Sequence, residues 1–100
     1  MATFISLLNF TEQGVKNFRS SPDRADAFKS MAKKMGVTVK EIYWTVGVYD
    51  IVLILDAPDD ETIAALMLSL ASFGNVKTHT LRAFDASQIK KIISKASIES

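Results

Sequence analysis

The side chains able to do chemistry are few and gathered in two places. Tyr43, Trp44, Tyr49 and Asp50 fall within the block Tyr43-Trp44-Thr45-Val46-Gly47-Val48-Tyr49-Asp50, while His79 stands between Thr78 and Thr80 with Arg82 close behind. Flat amphipathic rings beside a charged group suit a small planar or amphipathic ligand. On that reading Tyr43, Trp44 and Tyr49 line a cleft at a sheet edge, and Asp50 or Arg82 holds the polar end of the ligand. A tight turn accounts for the same residues more simply, with Gly47 taking a backbone conformation closed to other residues and Asp50 bonding nearby N–H groups. The turn takes precedence. Trp44 alternates with Ile42 and Val46, which is core spacing, whereas Tyr43 shares the opposite face with Glu41 and Thr45.

His79 is the chain's one imidazole. A lone histidine is more often structural or solvent-facing than catalytic. In an enzyme, His79 and Asp50 would be the acid–base groups, or His79 an axial haem ligand. With a single histidine and no cysteine, no metal site is expected, and no Ser-His-Asp set can be assigned. Gln13-Gly14-Val15-Lys16-Asn17-Phe18-Arg19 resembles an acylphosphatase phosphate loop, but Arg19 falls one residue late and the element carrying the catalytic asparagine is missing. The 12 Lys and Arg nearly balance the 11 Asp and Glu, leaving a net charge of +1 and little field to steer the chain to nucleic acid. Asp50-Ile51-Val52-Leu53-Ile54-Leu55 has no aromatic ring on which RNA bases would stack, so an RNA-recognition role is rejected.

Elements that position these groups follow from periodicity. A strand is predicted from Thr3 to Phe10, with Thr11 capping a short turn that contains Gly14. Ser21-Pro22-Asp23 opens a helix with Ala25, Phe28, Ala32 and Met35 on one face, stopped by Gly36. Val37 to Val46 and Asp50 to Asp56 form an antiparallel hairpin. Pro58-Asp59-Asp60-Glu61 begins a second helix whose Ile63, Leu66, Met67, Leu70 and Phe73 make the buried stripe, ended by Gly74. A last strand runs from Asn75 to Phe84, and Asp85 with Gln88 forms a capping box for a C-terminal helix bearing Ile89, Ile92, Ile93 and Ala96.

The order β-α-β-β-α-β-α describes an α+β, ferredoxin-like domain: a four-stranded antiparallel sheet with both helices on one face, plus a C-terminal helix. In 100 residues without a linker it is one domain. The two central strands alternate apolar with apolar: Phe4, Ser6, Leu8 and Phe10 oppose Thr3, Ile5, Leu7 and Asn9, and Ile51, Leu53 and Leu55 oppose Val52 and Ile54. An uncovered apolar sheet face marks an interface, so a homodimer of the dimeric α+β barrel type, or a higher homo-oligomer, is expected. The C-terminal helix, with Lys90, Lys91 and Lys95 among its isoleucines, is expected to pack on its own domain or across a subunit contact rather than on a membrane. No leader or membrane span is read at the N-terminus, and the lack of cysteine fits a reducing cytoplasm.

Several segments together resemble the GYD-domain family of small bacterial and archaeal proteins. They are Ser6-Leu7-Leu8-Asn9-Phe10-Thr11 with Gln13-Gly14, Ser21-Pro22-Asp23-Arg24, Tyr43-Trp44-Thr45 with Gly47-Val48-Tyr49-Asp50, and Gly74-Asn75-Val76-Lys77-Thr78 running into Thr80-Leu81-Arg82-Ala83-Phe84. The resemblance implies architecture and carries no established activity. Two functions stay open. The first is a non-enzymatic, oligomerising module that senses a small molecule near Tyr43, Tyr49 and Arg82. The second is a small cofactor-free or haem-dependent oxygenase or isomerase using His79 and Asp50. The scarcity of ionisable groups on the strands favours the first, and no cofactor is predicted for it.

Overall fold

The computed structural model describes residues 1–96; the tail from Ser97 to Ser100 lies outside the described residues. The elements are β1 (Ala2–Phe10), α1 (Glu12–Lys16), a 3-10 turn (Phe18–Ser20), α2 (Ser21–Lys34), β2 (Thr38–Trp44), β3 (Ile51–Ala57), α3 (Asp60–Ser72), β4 (Val76–Ala83) and α4 (Ala86–Ala96). The expected order holds, with one helical turn, α1, added where only a capped turn was expected. Thr11 is the cap: its Oγ1 accepts the Gly14 N–H at 3.1 Å. Asp59 caps α3 by accepting the Thr62 N–H at 2.8 Å. Asp85 and Gln88 bond reciprocally at 2.9 and 2.8 Å, closing the capping box of α4.

The strands lie in the order β2-β3-β1-β4, every neighbouring pair antiparallel, which is the ferredoxin-like arrangement. A shift of register between Val39 and Glu41 leaves Lys40 unpaired in a bulge on the edge strand β2. Pairing across the four strands sorts the side chains into rows. On the helix side the rows are Trp44, Ile51, Leu8, Thr78; then Ile42, Leu53, Ser6, Thr80; then Val39, Leu55, Phe4, Arg82. On the outer side they are Tyr43, Val52, Leu7, His79; then Glu41, Ile54, Ile5, Leu81.

The core lies wholly on the helix side. Phe4, Leu8, Leu53 and Leu55 of the sheet meet Phe28 and Ala32 of α2 and Ile63, Leu66 and Met67 of α3. Leu55 and Leu66 are fully buried, each such side chain contributing about 1.5–3 kcal/mol through removal from water. Ser6, also fully buried, spends its hydroxyl on Thr80 Oγ1 at 2.7 Å and Met67 Sδ at 3.2 Å. Phe73 departs from its expected place: at the C-terminal cap of α3 it is 60% exposed and sits at the mouth of a groove rather than in the core.

No outer-side residue of these rows is buried, and Ile5, Leu7, Val52 and Ile54 are half-exposed at its centre. Of the two packings expected for α4, on its own domain or across a subunit contact, the first is not taken: it buries no residue and leaves Ile89, Ile92 and Ile93 exposed. The chain measures 58 × 31 × 19 Å, with a radius of gyration of 15.6 Å against about 13 Å for a compact chain of this length.

Candidate functional site

The aromatic block is built as a clamp between strands. Gly47, at φ +136°, permits the reversal between β2 and β3, and the Thr45 Oγ1 donates to the Tyr49 carbonyl at 2.6 Å. The turn is then tied to the end of β1. Asp50 N–H donates to the Leu8 carbonyl at 2.8 Å, the Asp50 carboxylate accepts the Phe10 N–H at 2.8 Å, and Asn9 Nδ2 donates to the Val48 carbonyl at 2.6 Å. A carboxylate that accepts a backbone N–H here joins a hairpin to a strand 40 residues away in sequence.

The ligand-cleft reading gathers Tyr43, Trp44 and Tyr49 around one cleft with Asp50 or Arg82; the structure distributes these residues over both faces and both ends of the sheet. Tyr43 is on the outer face, 53% exposed, where the nearby Glu41 carboxylate raises the pKa of its phenol, chiefly by its charge. Trp44 is on the helix side, as its alternation indicates, yet 48% exposed, with Nε1–H donating to Ser21 Oγ at 2.9 Å. Arg82 is two rows away from Trp44, stacked over Phe84 at 4.4 Å and Phe4 at 5.5 Å, and donates to the carbonyls of Thr3 and Ala83. It closes the far end of the sheet.

Two groups do come together. The Tyr49 and His79 rings meet edge to face, with centroids 5.9 Å apart and planes at 62°. The row of His79 crosses the outer face to Tyr43, through Leu7 and Val52. Of the candidate acid–base groups, the His79 imidazole is exposed on the outer face and the Asp50 carboxylate accepts the Phe10 N–H of β1. Among the described residues no group of three or more His, Cys, Asp and Glu could hold a metal ion.

The phosphate-loop resemblance dissolves in α1. Gly14 N–H is taken by Thr11 Oγ1, Val15 N–H by the Thr11 carbonyl and Asn17 N–H by the Gln13 carbonyl, so these amides do not converge on an anion. The segment is instead a second clamp. Thr11 Oγ1 donates to the Gly74 carbonyl at 2.6 Å, Gln13 Nε2 donates to the Phe73 carbonyl at 3.1 Å and Asn75 Oδ1 at 2.9 Å, and Gly14 presses on Asn75.

Sequence reasoning missed one concavity. A groove of about 530 Å³ opens on the helix side between α2, which lies over β2, and α3, which lies over β3 and β4. Leu8, Phe28, Leu53 and Phe73 supply apolar lining, with Trp44 and Arg24 among the polar-tipped residues. The Trp44 spacing hinted at it, but the separation of two helices leaves no trace in the periodicity of either.

These elements define a ferredoxin-like α+β domain whose two most specific sequence blocks are strand clamps. The chain belongs to the GYD-domain family, whose model matches residues 4–93. It is 37% identical over 90 residues to the glutamine synthetase and cystathionine beta-lyase binding protein of Thermus thermophilus, covering 89% of this chain and 95% of that one. No solved structure matches it.

Proposed function

We propose that this chain is a non-enzymatic protein-binding module that assembles as a homodimer through the outer face of its sheet. The observation that carries this reading is the bare outer face: an apolar centre of Ile5, Leu7, Val52 and Ile54, edged by Tyr43, Glu41, His79 and Lys77. An apolar centre within a polar and aromatic rim is the anatomy of a protein interface. Two such faces packed together form the dimeric barrel. The exposed isoleucines of α4 then lie beside the contact or offer a separate surface to a partner. By analogy with the relative's name, the partner is a metabolic enzyme such as glutamine synthetase or cystathionine beta-lyase, and the reducing cytoplasm suits a chain without cysteine.

Native mass spectrometry at micromolar concentration tests the assembly: a dimer mass is expected, and Ile54→Lys, which sets a charge at the centre of the face, yields monomers with an unchanged circular dichroism spectrum. A wild-type monomer overturns the dimer. Surface plasmon resonance against the two purified enzymes tests the partner. A second reading, small-molecule binding, is favoured by one observation, the groove that carries Trp44; it belongs there rather than at the hairpin turn, whose Asp50 carboxylate is spent on β1.

A further inference from the structure

Resting on that second reading, the polar inventory of the groove points to a class of ligand. Trp44 Nε1–H is committed to Ser21 Oγ, and Asn75 Oδ1 accepts from Gln13 Nε2. Arg24 is different. Its Nη1 donates to the Asn17 carbonyl at 2.8 Å and to Ser20 Oγ at 2.6 Å, but Nη2 is closed off from solvent and finds no acceptor among the described residues. The ion pairs of the described residues join Lys16 to Glu12 and Lys40 to Asp56, so no carboxylate among the described residues neutralises this guanidinium. A buried cationic donor without an acceptor is costly, and the cost is relieved by whatever supplies one.

We propose that the groove binds a small amphiphilic carboxylate, its apolar body over Leu8 and Leu53 and its head against Arg24. The volume, about 530 Å³, lies in the usual range for small-molecule sites, roughly 300–1,000 Å³. Phe28 and Phe73 supply aromatic walls for a chain or flat ring. A guanidinium presents parallel N–H groups that match a carboxylate in its own plane. A single negative charge fits better than a dianion, because one cation faces an otherwise apolar lining and a second charge would enter it uncompensated. Since Nη2 is closed off from water, the head reaches it as the Arg24 side chain turns away from the Asn17 carbonyl and Ser20 Oγ.

Trp44, the chain's one tryptophan, lines the groove and reports occupancy by its fluorescence. The probes are dodecanoate and its uncharged counterpart dodecanol, titrated below their aggregation limits into the full chain. Saturable change with dodecanoate is expected, with dodecanol weaker by about tenfold to a hundredfold, the range for a hydrogen bond to a charged group. Arg24→Gln lowers dodecanoate affinity by a similar factor and leaves dodecanol unchanged. Arg24→Lys, which keeps the charge, serves where the glutamine variant fails to fold, and retains a preference for the carboxylate while losing part of the affinity. Ala27→Phe, which fills the groove, abolishes both responses. Equal binding of the two probes, or an Arg24→Gln chain that binds dodecanoate as before, overturns the anionic class while leaving a ligand groove; no saturable response to either probe overturns both. Neither result bears on the dimer.

Discussion

The carboxylate of Asp50 holds a hairpin to a strand far from it in sequence, and the Tyr49 ring leans on His79 without a hydrogen bond of its own to the turn. Removing each should therefore have unequal effects. Asp50→Ala leaves the Phe10 N–H without its acceptor and is expected to cost about 1–3 kcal/mol in urea unfolding, with Asp50→Asn, which keeps an acceptor, costing less. Tyr49→Phe is expected to stay within about 0.5 kcal/mol of wild type, as surface changes do. At Asp59 the bonds accepted from Thr62 hold the carboxyl below the usual carboxylate range. The folded chain thus binds that proton less readily than the unfolded chain. Its contribution is fully present above the unfolded pKa and disappears as pH falls through the lower folded value. Thermal melts of Asp59→Asn from neutral pH downward should show a weaker acid dependence than wild type.

At the scale of elements, the β1–α1 and α3–β4 connections behave as one joint. A Cβ at Gly14 would stand 1.9 Å from the Asn75 carbonyl oxygen, a backbone atom that cannot swing away. Gly14→Ala should cost about 3 kcal/mol, the upper end for overpacking, in a denaturant titration. Thr11→Ala removes both the cap of α1 and the bond to Gly74, and about 1–2 kcal/mol of stability with it. The glutamine and glycine of this segment looked like a phosphate loop because short motifs record residue types and not the directions of the N–H groups. Those directions are set by the helical turn that Thr11 starts. α4 shows the converse: its capping box and apolar stripe were legible residue by residue, yet nothing local states whether a stripe has a partner.

For the molecule as a whole, the outer face and the groove lie on opposite sides of one sheet. This separation predicts that loss of the dimer in Ile54→Lys leaves the Trp44 fluorescence response to dodecanoate intact, and that Arg24→Gln leaves the native mass unchanged. A variant that moved both would join the two surfaces in a single mechanism.

The sequence by itself determined the four strands, the three longer helices and their order, since apolar period, caps and glycine stops act within a few residues. It also determined which face of β2 carries Trp44, because alternation is a property of the strand alone. The tertiary structure decided what depends on distance between elements. It parted Arg82 from Asp50, gave Asp50 and Gln13 to strand clamps, and opened the groove at Arg24 by setting α2 and α3 over different strands. Contacts of that kind depend on sheet order and helix placement, which arise from packing across the whole core and not from any short stretch of chain.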